Sequence, residues 1–288
     1  MNASNHTSDL RTRDVRRRFD DAAGSFDEAD FVHRVTCEGL LARMRPITAE
    51  ATTVVDLGAG TGSAIPLLQK RFRRALVIAV DSSARMLQVV RSKRSLLSKR
   101  HAVQADARAM PLADASVDVV FSNLMLPWLD QPDLVFEEVA RVLRKGGLFA
   151  FATLGPDTLL EIRQAWRASD EGEHVKRFPD MHDVGDALVR AGRRDPVLDV
   201  DRLSVSYRNS EALFRDLTAS GARNTLYQRR TGLMGRNRFR RFTDALFSPG
   251  NACSLTLEIV YGHCWGGEPR RTGGDIAVDA GKIPLRQQ

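Results

Sequence analysis

Apolar and amphipathic stretches alternate along the first half of the chain. Short runs rich in aliphatic residues predict strands, and they occupy residues 54–57, 76–81, 102–107, 117–123 and 148–153. The stretches between them have helical spacing and predict helices over 65–70, 83–90 and 132–143, the last closed by Lys145-Gly146-Gly147. Because strands that alternate with helices pair in parallel, the pattern predicts an α/β fold with a parallel sheet.

The pattern changes on both sides of this region. Before it, apolar residues at helical spacing predict a helix that packs on the core and ends at Pro46. After it, we expect a helix whose N-cap is Asp157. Further elements are then predicted: a helix over 181–191, a strand over 197–207, an arginine-rich helical insert over 209–246 and a last strand over 254–260.

These elements predict one domain rather than two. We assign residues 1–50 to a helical lead-in and residues 51–265 to the main domain. The insertion around 209–246 is expected to form a lid before the last strand. The tail over 266–288 is rich in Gly, Arg and Pro, so we expect it to be flexible.

A glycine-rich turn follows the first predicted strand. It contains Asp56, Gly58, Gly60 and Gly62, and glycine allows both positive φ and close approach of a ligand to the main chain. The dinucleotide fingerprint Gly-x-Gly-x-x-Gly would need a glycine where Ser63 stands. The turn therefore argues against a nicotinamide dinucleotide site.

Polar side chains recur at the ends of the following predicted strands. Asp81, Asp106 and Asn123 each stand at or near the carboxyl end of a run. Ligands bind at these ends in open parallel sheets, and a carboxylate there can accept hydrogen bonds from both hydroxyls of a ribose. The pattern predicts a nucleoside site at this edge of the sheet.

The motif Asp56-x-Gly58-x-Gly60-x-Gly62, with the strand-end residues, resembles the class I S-adenosylmethionine (SAM) methyltransferases. The resemblance implies a Rossmann-like, seven-stranded, mostly parallel sheet and SAM as cofactor. It implies that Asp106 faces the adenine amino group. The implied cofactor-binding residues are Asp56, Gly58, Gly60, Gly62, Asp81, Met86, Asp106, Ala107 and Asn123.

The second half resembles a narrower family, the malonyl-acyl-carrier-protein O-methyltransferases of biotin synthesis. The stretches that carry this resemblance include Ser122-Asn123-Leu124 with Trp128, residues 151–159, 174–183 and 260–262. It implies methyl transfer from SAM to the free carboxylate of a malonyl thioester. The implied partner is an acidic malonyl-acyl carrier protein.

Two residues are assigned to the reaction through this resemblance. Arg177 is implied to hold the malonyl carboxylate, since arginine makes planar, often bidentate contacts with carboxylates; the alternative is an arginine in a surface salt bridge. Phe26 stands where the family usually has tyrosine, which removes a hydroxyl from the expected acyl pocket. A carboxylate is ionised at neutral pH, so the transfer requires alignment and desolvation more than a base.

Two other functions remain open from the sequence. The lead-in also resembles assembly factors of mitochondrial complex I, which share this fold and are associated with arginine hydroxylation. An RNA methyltransferase would suit the net charge of +7. However, Asn123 is followed by Leu124-Met125 instead of the Pro-Pro-aromatic loop of base amino-methylation. Nucleic acid is therefore the weakest partner.

Composition restricts the class of protein further. The 288 residues include 43% hydrophobic residues, enough for a sizeable core. Cys37, Cys253 and Cys264 are scattered and the six histidines show no paired spacing, so neither a disulfide framework nor a metal site is expected. No apolar run reaches the ~18 residues of a membrane span, and the N-terminus lacks a secretory signal, so we predict a cytoplasmic protein without a membrane partner.

Overall fold

The computed structural model describes residues 10, 12–93, 100–226, 234–247 and 252–267. The helices are α1 (Thr12–Ala22), α2 (Phe31–Met44), α3 (Ile65–Arg71), α4 (Ala84–Ser92), α5 (Pro132–Val142), α6 (Leu160–Arg167), α7 (Met181–Arg190), α8 (Ser210–Ala219) and α9 (Arg236–Leu246). The strands are β1 (Thr53–Leu57), β2 (Leu76–Asp81), β3 (Arg100–Gln104), β4 (Val117–Asn123), β5 (Leu143–Leu154), β6 (Arg194–Tyr207) and β7 (Cys253–Trp265).

The strands form one seven-stranded sheet in the order β3-β2-β1-β4-β5-β7-β6. The pairs from β3 to β5 are parallel, whereas β7 runs antiparallel to both of its neighbours. The predicted seven-stranded, mostly parallel sheet is confirmed. The strand order reverses between β1 and β4, and the carboxyl ends on either side of that point form a crevice where open α/β sheets bind ligands.

Helices cover both faces of the sheet, which explains why its central strands are apolar without alternation. On one face, Leu40 of α2 and Leu68 of α3 pack against β1 and its neighbours. On the other, Phe136 of α5 and Leu188 of α7 pack against β4 and β5. In β1, Val54, Val55 and Leu57 are fully buried.

A third apolar cluster joins α6, α8 and α9 to the start of β7, where Cys253 and Leu255 contribute to it. Trp166 of α6 stacks on Phe242 of α9 with ring centroids 4.0 Å apart, and Leu213 of α8 packs beside them. We call α6, α8 and α9 the outer helices. Both α8 and α9 lie in the predicted insertion 209–246, whereas Arg229 and Arg230 of that insertion, and most of the tail, lie outside the described residues.

Three local predictions were wrong. Lys145-Gly146-Gly147 does not close a helix, because α5 ends at Val142 and the chain passes directly into β5; Gly146 N–H donates to the Gly266 carbonyl instead. Asp157 is not an N-cap: its carboxylate pairs with Arg202 at 2.6 Å, and Leu159 at φ 56° precedes α6. The third strand ends at Gln104, so Asp106 lies beyond it.

No helix in the ranges that the structure covers is both long enough and apolar enough to cross a membrane.

Candidate functional site

The glycine-rich turn between β1 and α3 is tied to the end of the neighbouring strand. The backbone N–H groups of Gly58 and Ala59 both donate to the carbonyl of Val80, at 2.8 and 3.1 Å. Gly58, Gly60 and Gly62 all have positive φ, 77°, 53° and 79°. L-residues rarely adopt that conformation, so the glycines make this sharp turn possible.

The turn forms one wall of a cavity at the carboxyl ends of β1, β2 and β4, which we call the strand-end cavity. Of the nine predicted cofactor-binding residues, eight line it: Asp56, Gly58, Gly60, Asp81, Met86, Asp106, Ala107 and Asn123. Gly62 does not. A Cβ at that position would stand 2.8 Å from the Ile65 side chain, so Gly62 allows α3 to pack against the turn.

Two carboxylates lie deep in the strand-end cavity. Burial, with the nearby charge of Asp81, raises the pKa of Asp56 to about 7. Burial also raises the pKa of Asp81, although its oxygens accept hydrogen bonds from the N–H groups of Gly60 and Ser83, both at 2.8 Å. A buried pair of acids with raised pKa values favours a ligand that brings hydroxyls or positive charge.

Two buried oxygens in this cavity have no hydrogen-bond partner in the described part of the chain, Asp56 Oδ2 and Asn123 Oδ1. The Asn123 amide group is otherwise fixed, because its Nδ2 donates to the His33 carbonyl at 2.8 Å. Buried acceptors without donors are uncommon in folded proteins and point to a missing ligand. SAM fits this lining, because its ammonium group and its ribose hydroxyls are hydrogen-bond donors.

Asp106 lies at the cavity edge with its charge already paired. Its carboxylate accepts two hydrogen bonds from the Arg108 guanidinium, at 3.0 and 2.6 Å, and this pairing lowers the pKa of Asp106. Its position after the strand, in a turn closed on Ala109, differs from the strand-end position expected from the sequence. Ala105 and Ala107, on either side of Asp106, also line the cavity.

Phe26 covers the glycine turn from the N-terminal side. It lies in a short 3₁₀ helix (Phe26–Glu28), is 5% exposed, and packs with Ala23 and Met86. Its ring lies 3.8 Å from where a Cβ of Gly60 would be. Phe26 thus lines the strand-end cavity, between α1 and α2, and its place in an acyl pocket stays a prediction.

A second and larger cavity lies between the sheet, α2 and the outer helices, and we call it the large cavity. Its volume is about 1230 Å³, above the roughly 300–1,000 Å³ of most small-molecule sites. Apolar side chains dominate its wall, among them Ile162, Trp166, Leu213, Phe214 and Phe242. It could receive a long, mainly apolar molecule.

The two cavities share part of their walls. His33 of α2, Leu124 after β4, and Trp128 line both of them. Trp128 lies in a 3₁₀ helix (Leu126–Trp128) and meets Phe19 edge to face at 5.1 Å. Molecules bound in the two cavities would therefore be neighbours at these three residues.

Arg177 is not brought to either cavity. Its side chain is 82% exposed and pairs with Glu173 at 3.4 Å, whereas its neighbours Lys176 and Phe178 line the large cavity. In this conformation Arg177 therefore forms a surface ion pair, which is the alternative that the sequence left open.

Two residues that line the strand-end cavity, His33 and Arg108, were not predicted from the sequence. Arg108 could have been predicted from the sequence, because a basic residue two positions after Asp106 can form an ion pair with that carboxylate. His33 carried no local signal, because only the crossing of α2 over the end of β4 brings it to the site.

Comparison with known proteins places this geometry in a class. The methyltransferase domain family matches residues 55–151, which span β1 to β5. The YcgJ protein of Bacillus subtilis aligns with a TM-score of 0.57 at 17% identity, over 81% of this chain and 99% of that one. The phosphoethanolamine N-methyltransferase 2 of Haemonchus contortus aligns with a TM-score of 0.52 at 14% identity, over 86% of this chain and 57% of that one. The fold and the site together define a class I SAM-dependent methyltransferase.

More similar relatives narrow the class to a family. The malonyl-(acyl-carrier protein) O-methyltransferase of Laribacter hongkongensis is 44% identical over 89% of this chain and 91% of its own length. Its counterpart in Methylovorus sp. is 41% identical over 94% of this chain and 93% of its own length. The chain belongs to the malonyl-(acyl-carrier protein) O-methyltransferase family.

Proposed function

We propose that this protein methylates the free carboxylate of a malonyl group carried as a thioester on acyl carrier protein, a step of biotin synthesis, in the cytoplasm. The observation that carries the proposal is the shared wall of the two cavities at His33, Leu124 and Trp128. A methyl donor in one cavity and an acceptor in the other can meet there. The identity of the relatives supports the choice of acceptor.

The residues of the chain would act mainly by binding and alignment. When bound, SAM supplies an electrophilic methyl group. Asp81 would hold the ribose, and Asp56 and Asn123 would accept hydrogen bonds from the ammonium group. The malonyl carboxylate is already ionised at neutral pH, so its oxygen would form the new C–O bond without a general base. The methyl–sulfur bond of SAM would break in the same step, with S-adenosylhomocysteine as the leaving group. Fixing the acceptor in a site that excludes water then lowers the barrier.

The large cavity suits an acceptor on a long arm. Its wall of apolar side chains can hold the acyl chain and the pantetheine arm, with the outer helices as a lid. Arg223 is exposed and lines this cavity, and Arg236 and Arg240 are exposed on α9. These cations support an acidic carrier protein docked beside the outer helices.

Arg177 remains a proposed contact to the malonyl carboxylate, reached by a change of its exposed rotamer. Arg177→Ala should then raise KM for the carrier-bound acceptor, while the dissociation constant of SAM stays the same. Unchanged kinetics would remove Arg177 from the site.

The proposed function is tested by comparing acceptors. The purified protein is incubated with SAM and malonyl-carrier thioester, malonyl-coenzyme A or RNA, and the products are analysed by mass spectrometry. We expect a methyl ester on the malonyl group of the carrier thioester. Methylated RNA, or SAM turnover with no ester on either malonyl thioester, would contradict the proposal.

A further inference from the structure

His33 occupies the boundary between the two cavities and is fixed there by contacts on both sides. Its carbonyl accepts a hydrogen bond from Asn123 Nδ2 at 2.8 Å, which attaches α2 to the end of β4. Its ring packs against that of Phe26 with centroids 4.9 Å apart. The imidazole is therefore held in place where a donor and an acceptor would meet.

The His33 ring has unused hydrogen-bonding capacity. Its Nδ1 is buried and has no partner among the residues that the structure describes. Burial lowers the pKa of His33 to about 4, so the ring is neutral at physiological pH. A neutral imidazole carries one N–H donor and one acceptor nitrogen. Burying either without a partner is costly, which points to a ligand.

We propose that His33 is a substrate-binding residue whose imidazole donates a hydrogen bond to the malonyl carboxylate of the acceptor. This rests on the proposed function. The bond goes to the carboxylate oxygen that is not methylated and turns the other oxygen toward the methyl donor. A neutral donor orients the carboxylate without adding a second positive charge to that of Arg177.

Two substitutions separate the hydrogen bond from the ring. H33F keeps a ring against Phe26 but has no donor, whereas H33Q keeps a donor without the ring. We expect H33F to lower kcat/KM for malonyl-carrier thioester about tenfold or more, and H33Q to retain activity within about threefold of wild type. Thermal unfolding and the dissociation constant of S-adenosylhomocysteine are measured for each variant to verify folding.

The acetyl-carrier thioester provides a readout that a structural role would not change. It lacks the carboxylate, so its inhibition constant should be the same for wild type and H33F. The matched control is H182F, the same substitution on α7, where the His182 side chain is 79% exposed. H182F should keep the wild-type preference for malonyl over acetyl thioester.

The outcomes distinguish this assignment from the proposed function. If wild type forms no malonyl ester, both are wrong. If wild type forms the ester and H33F has the same kcat/KM for the malonyl thioester, only the His33 assignment is wrong. The assignment also fails if H33F weakens the binding of malonyl and acetyl thioesters equally. It fails as well if H33F weakens the binding of S-adenosylhomocysteine as much as that of the malonyl thioester.

Discussion

The strand-end cavity and the large cavity are adjacent but are built in different ways. Most of the strand-end cavity is lined by residues that directly follow β1, β2, β3 and β4, among them Gly58 and Gly60 of the glycine turn. The second is enclosed by side chains of α2, α6, α8, α9 and β7, which are distant in sequence. One cavity has buried carboxylates, and the other has stacked aromatic rings.

This difference indicates that the two cavities bind different kinds of ligand. The strand-end cavity requires particular backbone conformations and particular polar atoms, as for a single invariant cofactor. The large cavity requires volume and apolar surface, which many side chains could provide. Substitutions in one cavity should therefore affect one ligand and spare the other, and four predictions test this separation.

The largest effect is expected for Asp81→Ala. It removes the carboxylate proposed to bind the ribose and also the acceptor for the Gly60 and Ser83 N–H groups. Losing hydrogen bonds to a charged group should raise the dissociation constant of SAM about a hundredfold. Isothermal titration calorimetry measures it. Asp133→Ala, which removes an exposed ion pair with Arg190, should leave SAM binding unchanged.

The next largest effect is expected for Gly58→Ala, and Gly146→Ala is its matched control. Both glycines have positive φ, 77° and 74°. A Cβ at Gly58 would collide with the Met125 side chain, whereas at Gly146 nothing lies within 4 Å. Gly146→Ala should cost only the backbone strain, about 1–2 kcal/mol of unfolding free energy. Gly58→Ala should cost more and weaken SAM binding; equal effects would contradict the collision.

Trp166→Leu addresses the large cavity. It removes stacking on both His174 and Phe242, each pair worth about 0.5–1.5 kcal/mol. We expect a KM for malonyl-carrier thioester raised about tenfold and a lower melting temperature, with unchanged SAM affinity. Steady-state kinetics and calorimetry test this. A comparable loss of SAM affinity would show that the two cavities are not separable.

The smallest effect concerns pH and Asp56. Since the folded-state pKa of Asp56 is raised from 3.8 to about 7, its burial lowers the stability of the unliganded protein progressively as pH rises through that window. Asp81, with a pKa also raised by burial, acts in the same direction. A bound ammonium group favours the ionised form, so S-adenosylhomocysteine should bind at most about fivefold tighter at about pH 7 than at about pH 6.

Calorimetry in two buffers of different ionisation enthalpy should detect proton release on binding near neutral pH. Asp56→Asn, which cannot titrate, serves as the control and should show a weaker pH dependence. An equal pH dependence in both proteins would mean that Asp56 does not sense the ligand.

Much of the fold and of the strand-end cavity could be predicted from sequence because the relevant signals are local. The alternation of apolar runs with amphipathic stretches identified the parallel strands. The spacing of Asp56, Gly58 and Gly60 identified the turn. Where neighbouring segments compete, local signals failed: Asp157 looked like a helix cap, but its carboxylate pairs with Arg202, 45 residues away in sequence.

The sequence by itself determined the sheet, its glycine turn and the positions of Asp81 and Asn123 at its strand ends, because period and spacing fix these features within a few residues. Only the tertiary structure decided that Phe26 covers the turn, that His33 lies between two cavities, and that Arg177 faces solvent. Those positions depend on how α1, α2 and the outer helices pack across the sheet. Packing sums many weak contacts between distant residues, which no short motif records.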